Sequence, residues 1–558
     1  MSHPGGPDQV PVAAAVGITL AGLGADTVFG LVGSGNFHVT NALIGRGAAF
    51  VAARHENGAA CMADGWARAS GRTGILSVHQ GPGLTNALTG ITEAAKSRTP
   101  LLVLAADVAG AAVRSNFRID VGALAAAVGA VPERLHSPGS AAADAARAYR
   151  TAERERRTVI LAMPLDVQAA QCDPPVIPPL PPVQPAAPSQ AAAADLAVAL
   201  ATAGRPVFVA GRGARAAAAR ADLERLADAC GALLATSAAA RGLFRGSPWD
   251  LDVSGGFATP LAAELIGAAD LIVSWGCSLN MWTMRHGKLI GPGATVAQVD
   301  HEAAAIGGHR PADIGILGDV AETARVVLAE LGGRTRPGYR SPELQERIAA
   351  EGRWRDVPYP DQGVPGPDGT IDPRTLSIAL DDLLPADRMV AVDSGNFMGY
   401  PSMFLSVPDD AAFCFTQAYQ SVGLGLASAI GAALAQPGRL PVAALGDGGA
   451  LMGISELETA VRLRLPMVVV IYDDEAYGAE VHHFGPDGHQ LGTVRFPPAD
   501  LAAIGRGFGC AGVTVRQPSD LDPVRDWLAG PRDRPLVIDA KVSSAAGSWW
   551  LEEAFRGH

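Results

Sequence analysis

The chain contains 558 residues, of which 48% are hydrophobic and 18% are charged, and its formal net charge is −12. That length is too great for one hydrophobic core, and the composition is typical of a well-buried α/β protein with about three domains. A negative charge without a basic cluster argues against a nucleic-acid or anionic-membrane partner. The 6 cysteines are scattered without metal-ligand spacing, which is typical of thiols in a reducing compartment. No uninterrupted apolar stretch of about 18 residues predicts a membrane span.

The first apolar run, at 10–23, has the length of a signal-sequence core, but no Lys or Arg precedes it and glycines interrupt it. We therefore expect an amphipathic first helix in a cytoplasmic protein. Short apolar runs then alternate with helical patterns, which predicts a parallel sheet wrapped by helices and a first domain at 1–173. The predicted strands of this domain are 27–32, 49–53, 74–78, 101–105 and 158–163.

Two stretches rich in proline or glycine divide the rest of the chain. The proline-dense residues 174–189 predict an extended linker, and residues 334–370 predict a second linker that contains one helix. Between them, the α/β rhythm continues in a middle domain at 190–333, and it resumes in a third domain at 371–545. The tail at 546–558 contains adjacent tryptophans, which we expect to pack, with a lid over a site as the alternative.

The sequence LGDGG at 445–449 follows a predicted strand and precedes apolar residues at helical spacing. A glycine turn at a helix N-terminus lets backbone N–H groups approach a ligand and favours a diphosphate. Asp447 supplies a hard oxygen ligand for Mg²⁺. A second valine-rich strand, at 465–472, leads to Asp474, so a second carboxylate can reach the same metal. Asp-Gly is a common turn dipeptide, and the second carboxylate is what strengthens the prediction.

Two further strand ends carry candidate residues. Glu56 follows the predicted strand 49–53, at the edge of a parallel sheet where ligands bind. A helix cap or a surface glutamate is the plainer interpretation. His79 begins the glycine-rich turn HQGPGLTN at the end of the next strand, which makes it a candidate acid–base residue, with a structural histidine as the alternative.

Together these motifs resemble the thiamin diphosphate-dependent enzymes of the acetolactate synthase and benzoylformate decarboxylase superfamily. The resemblance covers nearly the whole chain and rests on RHE at 54–56, GPGLTN at 81–86, GLASAIGA at 425–432 and the stretch 446–478. It implies three doubly wound parallel-sheet α/β domains. The first binds the pyrimidine, the second is the middle domain, and the third binds the diphosphate. It also implies a homodimer or homotetramer in which two subunits share each active site.

The resemblance assigns the cofactor contacts. Glu56 matches the glutamate that hydrogen-bonds the aminopyrimidine ring and so promotes loss of the thiazolium C2 proton. The Gln420 carbonyl would accept a hydrogen bond from the exocyclic amine, and Val422 would bend the cofactor. The other expected cofactor contacts are Ser394, Gly395, Asn396, Gly446, Gly448, Gly449, Tyr477 and Gly478.

The metal ligands implied by the resemblance are Asp447, Asp474 and the Ala476 carbonyl. Relatives normally have asparagine where this chain has Asp474. An extra carboxylate beside a diphosphate adds repulsion that a divalent metal must offset, so we expect a steeper dependence on Mg²⁺. Val422 is also smaller than the methionine, leucine or isoleucine usual at its position.

The expected substrate is a small polar 2-oxo acid. Ser34 and His79 lie where benzoylformate decarboxylases have a similar pair that binds the substrate carboxylate and moves protons. Arg118 is either a carboxylate clamp or a surface or interface arginine. Three residues after the metal turn match the segment that lines the substrate pocket, namely Ala479, Glu480 and His483.

The implied reaction is decarboxylation, after which the enamine is protonated or transferred to an aldehyde or ketone acceptor.

A 2-hydroxyacyl-CoA lyase is the alternative, although it needs a basic groove that the sequence does not reveal. A nicotinamide oxidoreductase would use the GRGA turn at 211–214, but the third glycine and the strand-end acid are missing. FAD or ADP in the middle domain stays open beside an empty domain. A non-catalytic cofactor-binding relative is the last alternative, against which Glu56 argues.

Overall fold

The computed structural model describes residues 9–176, 179 and 181–551. It contains three α/β units, each built on a six-stranded parallel sheet with helices around it. The predicted fold class is confirmed. Parts of the predicted linker at 174–189 and of the tail at 546–558 lie outside the described residues.

The first unit has the strand order β3-β2-β4-β5-β7-β6. The strands of this sheet are β2 (Thr27–Gly30), β3 (Ala49–Ala52), β4 (Gly74–Val78), β5 (Leu101–Asp107), β6 (Val131–Arg134) and β7 (Thr158–Pro164). Outside it, the short strands β1 (Val10–Pro11) and β8 (Gln171–Cys172) pair with each other. The helices of the first unit are α1 (Val12–Gly22), α2 (Phe37–Ile44), α3 (Glu56–Ser70), α4 (Pro82–Asn86), α5 (Leu88–Lys96), α6 (Val121–Ala127), α7 (Ala141–Glu155) and α8 (Leu165–Ala169). The fully buried strands β4, β5 and β7 are nearly continuous apolar runs of the sequence, as expected for a sheet covered on both faces.

The middle unit has the strand order β11-β10-β9-β12-β13-β14. Its strands are β9 (Pro206–Ala210), β10 (Leu233–Thr236), β11 (Asp250–Val253), β12 (Leu271–Trp275), β13 (Thr295–Asp300) and β14 (Ile314–Leu317). Its helices are α9 (Gln190–Thr202), α10 (Arg212–Ala216), α11 (Arg220–Cys230), α12 (Pro260–Gly267), α13 (Met281–Met284) and α14 (Val320–Glu330), and α15 (Pro342–Glu351) lies in the second linker. Side chains at Gly211 and Gly213 would overlap the backbone of Gly276, so packing within the chain explains this glycine turn.

The third unit has the strand order β16-β15-β17-β18-β20-β19. Its strands are β15 (Arg388–Val392), β16 (Phe413–Phe415), β17 (Leu440–Gly446), β18 (Val468–Asp473), β19 (Ala511–Val515) and β20 (Leu536–Lys541). Its helices are α16 (Pro373–Leu383), α17 (Gly399–Phe404), α18 (Gly425–Ala435), α19 (Asp447–Met452), α20 (Glu456–Arg462), α21 (Gly478–Phe484), α22 (Leu501–Phe508) and α23 (Asp522–Ala529). The single helix expected after the glycine turn is divided into α19 and α20, and the break begins at Gly453, a residue type that weakens a helix interior.

Helices α3 and α18 join the first and third units. A side chain at Gly65 would overlap the Ser428 carbonyl, and one at Gly431 would overlap the Met62 carbonyl, so glycine allows the two helices to lie in close contact. Residues of both units share one hydrophobic core. Because α3 begins at Glu56 and α18 begins at Gly425, this contact fixes two helix ends that carry predicted site residues.

The C-terminal tryptophans pack against the body of the chain. Trp550 is 1% exposed and makes edge contacts with Phe257 and Tyr400. Ser548 donates a hydrogen bond of 2.8 Å to the Asn396 carbonyl, which ties the tail to the third unit.

The six cysteines are buried free thiols. Within the described part of the chain, no helix combines the length and the apolar character needed to cross a membrane.

Candidate active site

A cavity of about 210 Å³ lies at the carboxyl ends of β15, β17 and β18 in the third unit. This is the edge of a parallel sheet at which ligands bind. The cavity gathers the predicted residues Ser394, Gly395, Asn396, Gln420, Val422, Gly446, Asp447, Gly448, Gly449, Asp474, Ala476, Tyr477, Gly478, Ala479 and Glu480. His483 lies on α21 with Glu480, but it is not among the described residues that line the cavity.

Glycines give the cavity its shape. A Cβ on Gly448 would lie 2.6 Å from Cε1 of Tyr477, and a Cβ on Gly449 would overlap the Asp393 carboxylate. A side chain at Gly478 would likewise overlap the Asp474 carboxylate. Only glycine therefore keeps the backbone of these turns close to the space that a ligand would occupy.

Two carboxylates face this cavity. Burial, and then the charges of Asp474 and Asp473, raise the pKa of Asp447 to about 8. Burial also raises the pKa of Asp474 to about 7, although a hydrogen bond from Asn396 opposes the shift. A cation bound between Asp447 and Asp474 would relieve their repulsion and hold both carboxylates ionised.

The neighbouring Asp473 has a different role. Its carboxylate accepts a hydrogen bond from Lys541, whose Nζ also lies 3.2 Å from Asp539, and it does not line the cavity. Of the two adjacent aspartates, Asp474 is therefore the one available to a metal.

The described residues contain no group of three or more His, Cys, Asp or Glu side chains that could hold a metal ion. If Asp447, Asp474 and the Ala476 carbonyl held Mg²⁺, the ion would need further oxygen ligands, which phosphate oxygens and water would supply. The buried Asn396 Oδ1 and Gln417 Nε2 lack hydrogen-bond partners within the described structure, and both residues line the cavity. These donors and acceptors fit a magnesium–diphosphate group.

Asp393, which the sequence analysis missed, fixes the backbone next to the cavity. It is fully buried and accepts hydrogen bonds from the N–H groups of Ser394 at 2.8 Å, Gly423 at 3.0 Å and Leu424 at 3.1 Å. Burial raises its pKa to about 6. The carboxylate thereby joins the turn after β15 to the start of α18.

The loop at 416–422 carries Gln420 and Val422. Gln420 has a φ of +60°, which is uncommon for a residue with a side chain. Its carbonyl accepts a hydrogen bond of 3.4 Å from the Ser394 hydroxyl. The loop conformation thus presents the Gln420 backbone beside the turn that begins at Ser394.

Ser34 and His79 form a pair on the first unit. The Ser34 hydroxyl lies 3.3 Å from His79 Nε2, and His79 Nδ1 lies 2.9 Å from the Gln80 carbonyl. In the neutral ring, the carbonyl places the proton on Nδ1 and leaves Nε2 to accept from Ser34. Phe117 packs edge-on against the imidazole, and the next residue, Arg118, is exposed.

Glu56 begins α3 and accepts a hydrogen bond of 3.1 Å from the Asn86 amide. Its turn is held by Glu456, a buried residue that the sequence analysis missed. The Glu456 carboxylate accepts from the N–H groups of Arg54 and His55, each at 3.0 Å, and from the Thr459 hydroxyl at 2.7 Å. A carboxylate of the third unit thereby supports the turn that carries Glu56.

The two sets of residues do not meet within one chain. The described residues that line the cavity belong to the middle unit, the third unit and its neighbouring segments, and none belongs to the first unit. Large apolar side chains are exposed beside both sets. They are Phe37, Val113 and Phe117 on the first unit and Leu451 and Met452 on the third.

Three regions of the chain match known domains of one family. Residues 11–123 match the N-terminal TPP binding domain of thiamine pyrophosphate enzymes, residues 193–327 match the central domain, and residues 393–540 match the C-terminal TPP binding domain. The chain belongs to the thiamine pyrophosphate enzyme family. Thiamine pyrophosphate is thiamin diphosphate, so the family predicted from the sequence is confirmed.

Three relatives match this thiamine pyrophosphate enzyme along most of its length. A probable 2-ketoarginine decarboxylase of Pseudomonas aeruginosa is 32% identical, with 92% of this chain and 90% of the relative covered. A sulfoacetaldehyde acetyltransferase of Rhodobacter capsulatus is 27% identical, with coverage of 95% and 94%. The acetolactate synthase large subunit of Parasynechococcus marenigrum is 28% identical, with coverage of 96% and 88%. The chain is accordingly a thiamine pyrophosphate-dependent 2-oxo acid decarboxylase or carboligase.

Proposed function

We propose that this enzyme uses thiamin diphosphate and Mg²⁺ to decarboxylate a small polar 2-oxo acid. The acyl carbon left after loss of CO₂ is then protonated or joined to the carbonyl of a second substrate. The observation that carries this proposal is that Asp447 and Asp474 line one cavity with Asn396 and Gln417, whose Oδ1 and Nε2 atoms lack hydrogen-bond partners among the described residues.

In this proposal, Asp447, Asp474 and the Ala476 carbonyl hold Mg²⁺ against the diphosphate. Thiamin diphosphate, when bound there, would supply a nucleophilic carbon and a place for the electrons of the broken C–C bond. Gln420 and Val422 hold the aminopyrimidine end, and Glu56 hydrogen-bonds its ring. The Ser34–His79 pair binds the substrate carboxylate and moves the proton that the product requires.

We further propose that two copies of the chain share each site. Glu56, Ser34 and His79 lie on the first unit, whereas the carboxylates for Mg²⁺ line a cavity without first-unit residues among those described. The exposed apolar side chains beside both sets fit a surface that a second copy covers. Arg118 follows Phe117, which packs on His79, and in such an assembly it is an interface residue or a carboxylate clamp.

Glu480 favours a substrate with a cationic end. The titratable side chains among the described residues that line the cavity are all acids or tyrosines, and Glu480 is the acid among them that is not assigned to Mg²⁺. The relative at 32% identity is named as a probable 2-ketoarginine decarboxylase, which acts on a 2-oxo acid with a guanidinium group. We propose that Glu480 pairs with such a group at the distal end of the substrate.

The alternative of a 2-hydroxyacyl-CoA lyase receives no support from this cavity. Coenzyme A carries several phosphate charges, and no Lys or Arg is among the described residues that line the cavity. The middle-unit turn likewise gives no specific support for FAD or ADP, because its glycines are explained by backbone packing.

The test is CO₂ release from pyruvate, phenylglyoxylate, 2-oxoglutarate and 2-ketoarginine, with and without thiamin diphosphate and Mg²⁺. We expect release only with both additions, with the highest kcat/KM for the cationic substrate, and products are to be identified with and without an added aldehyde. If none of the four 2-oxo acids released CO₂, the proposed decarboxylation would be contradicted. A preference for 2-oxoglutarate would contradict the assignment of Glu480.

A further inference from the structure

A carboxylate of the first unit holds the loop at 416–422 of the third unit. Glu93, near the end of α5, is 1% exposed. It accepts a hydrogen bond of 2.7 Å from the N–H of Tyr419 and one of 3.2 Å from the N–H of Ala418. The two donors directly precede Gln420, so this contact ends next to the backbone that the proposed function assigns to the aminopyrimidine.

Arg68 fixes Glu93 in place. Its Nη2 lies 2.8 Å from Glu93 Oε1 and 2.7 Å from Asp64, and its Nη1 donates to the Phe415 carbonyl at 2.8 Å. Burial by itself raises the pKa of Glu93, but Arg68 and the two loop N–H groups oppose burial and hold the pKa below its usual range. Glu93 is therefore ionised at neutral pH and receives charge-assisted hydrogen bonds, which are stronger than neutral ones.

Asp393 holds the backbone directly after the loop, where it accepts from the N–H groups of Gly423 and Leu424. The contacts before Gln420 are fewer. The Thr416 hydroxyl donates to the Val392 carbonyl at 3.0 Å, and Lys96 lies 5.6 Å above the Tyr419 ring. The positive φ of Gln420 costs free energy, which neighbouring contacts must supply. Glu93 is the described carboxylate that meets two consecutive N–H groups just before this strained residue.

We infer that Glu93 is a positioning residue for the cofactor site. It does not line the cavity; it acts through Ala418 and Tyr419 to fix Gln420 and Val422 before the cofactor binds. The inference rests on the proposed function, since it concerns the loop that would hold the aminopyrimidine. It goes beyond that function because it places a determinant of the third-unit site on the first unit of the same chain.

The first experiment measures thiamin diphosphate affinity from the quenching of tryptophan fluorescence at saturating Mg²⁺. Glu93→Gln replaces an ionised acceptor of two N–H bonds by an amide with one oxygen, and we expect roughly tenfold weaker binding or more. The matched control is Asp64→Asn, which removes the other carboxylate on Arg68 without touching the loop. It should lower the temperature of unfolding while the affinity stays within about twofold of wild type.

Three outcomes of this titration are decisive. If the wild type itself fails to bind the cofactor, the proposed function is wrong and the inference falls with it. If the wild type binds and Glu93→Gln binds equally well, the inference alone is wrong. Equal losses of affinity in Glu93→Gln and Asp64→Asn would assign the effect to general stability and would also overturn the inference.

A second measurement needs no variant and is decisive even if Glu93→Gln does not fold. Hydrogen exchange of the Ala418 and Tyr419 amides is followed in the wild-type chain before and after addition of the cofactor. We expect strong protection already in the cofactor-free protein, because both N–H groups are bonded to a buried carboxylate. Fast exchange that slows only when the cofactor is added would show that Glu93 does not fix the loop in advance.

Discussion

Asp474 and Asp447 line the same cavity of the third unit, and burial together with the Asp474 charge raises the pKa of Asp447 to about 8. Burial raises the pKa of Asp474 to about 7. Both carboxylates thus resist ionisation when no cation is present. The ionisation of Asp447 and Asp474 is therefore coupled to the binding of the metal and of the diphosphate.

Replacing Asp474 by asparagine should stabilise the metal-free protein at alkaline pH. The folded-state pKa of Asp474 is raised, so its ionisation opposes folding as the pH increases from about 4 to about 7, and the full penalty applies above that range. The variant lacks this penalty. Its unfolding temperature should therefore exceed that of the wild type at pH 8 by more than at pH 5, and a difference that does not change with pH would contradict the assignment. The Mg²⁺ concentration for half-maximal cofactor binding should also fall.

Glu56→Gln should abolish exchange of the C2 proton of bound thiamin diphosphate. The amide retains the shape of the side chain but cannot share a proton with the aminopyrimidine ring in the same way. Cofactor binding should persist, because Asp447, Asp474 and the glycine turns hold the diphosphate in the proposed site. Exchange is measured by NMR on rapidly quenched samples, and exchange at the wild-type rate would refute the proposed role of Glu56.

Glu456→Gln should destabilise the chain and lower kcat, because Glu456 receives the N–H groups of Arg54 and His55 next to Glu56. Hydrogen bonds to a buried charged group contribute about 1.5–3 kcal/mol, so the free energy of unfolding should fall by about that amount. The matched control is Glu458→Gln on the same helix, whose carboxylate pairs with the partly exposed Arg54 side chain. Exposed pairs contribute about 0–1 kcal/mol, and equal effects of the two variants in denaturant unfolding would count against the special role of Glu456.

Glu480→Gln should change substrate preference. If Glu480 pairs with a cationic substrate end, the ratio of kcat/KM for 2-ketoarginine to that for pyruvate should fall by about tenfold or more, since charge-assisted hydrogen bonds contribute about 1.5–3 kcal/mol. Steady-state kinetics with both substrates give this ratio directly. An unchanged ratio would remove Glu480 from the substrate site.

The sequence predicted the parts of the fold that depend on local patterns. The buried strand β4 has the bounds expected from its apolar run, because a strand covered on both faces gives a nearly continuous apolar run in the sequence. The division of one expected helix into α19 and α20 was not predicted, since apolar spacing continues across Gly453.

Local sequence patterns could not reveal the residues that support the site, because their hydrogen-bond partners are distant in the chain. Glu456 and Arg54 are 402 residues apart in the chain, and no local pattern marks a carboxylate for so distant a backbone N–H group. The resemblance assigned Asp474 to the metal, but no local pattern distinguishes it from the adjacent Asp473. In the structure Lys541, 68 residues away, binds Asp473, and Asp474 lines the cavity.

The most direct test of the account mixes two inactive variants, Glu56→Gln and Asp447→Ala. If two copies share each thiamin diphosphate site, a mixed dimer has one site in which Glu56 and Asp447 are both intact. Random exchange of subunits should then restore up to roughly a quarter of wild-type CO₂ release, because about half of the dimers are mixed and half of their sites are intact. Absence of any recovery, with both variants folded, subunit exchange demonstrated and the wild type active, would contradict the shared site.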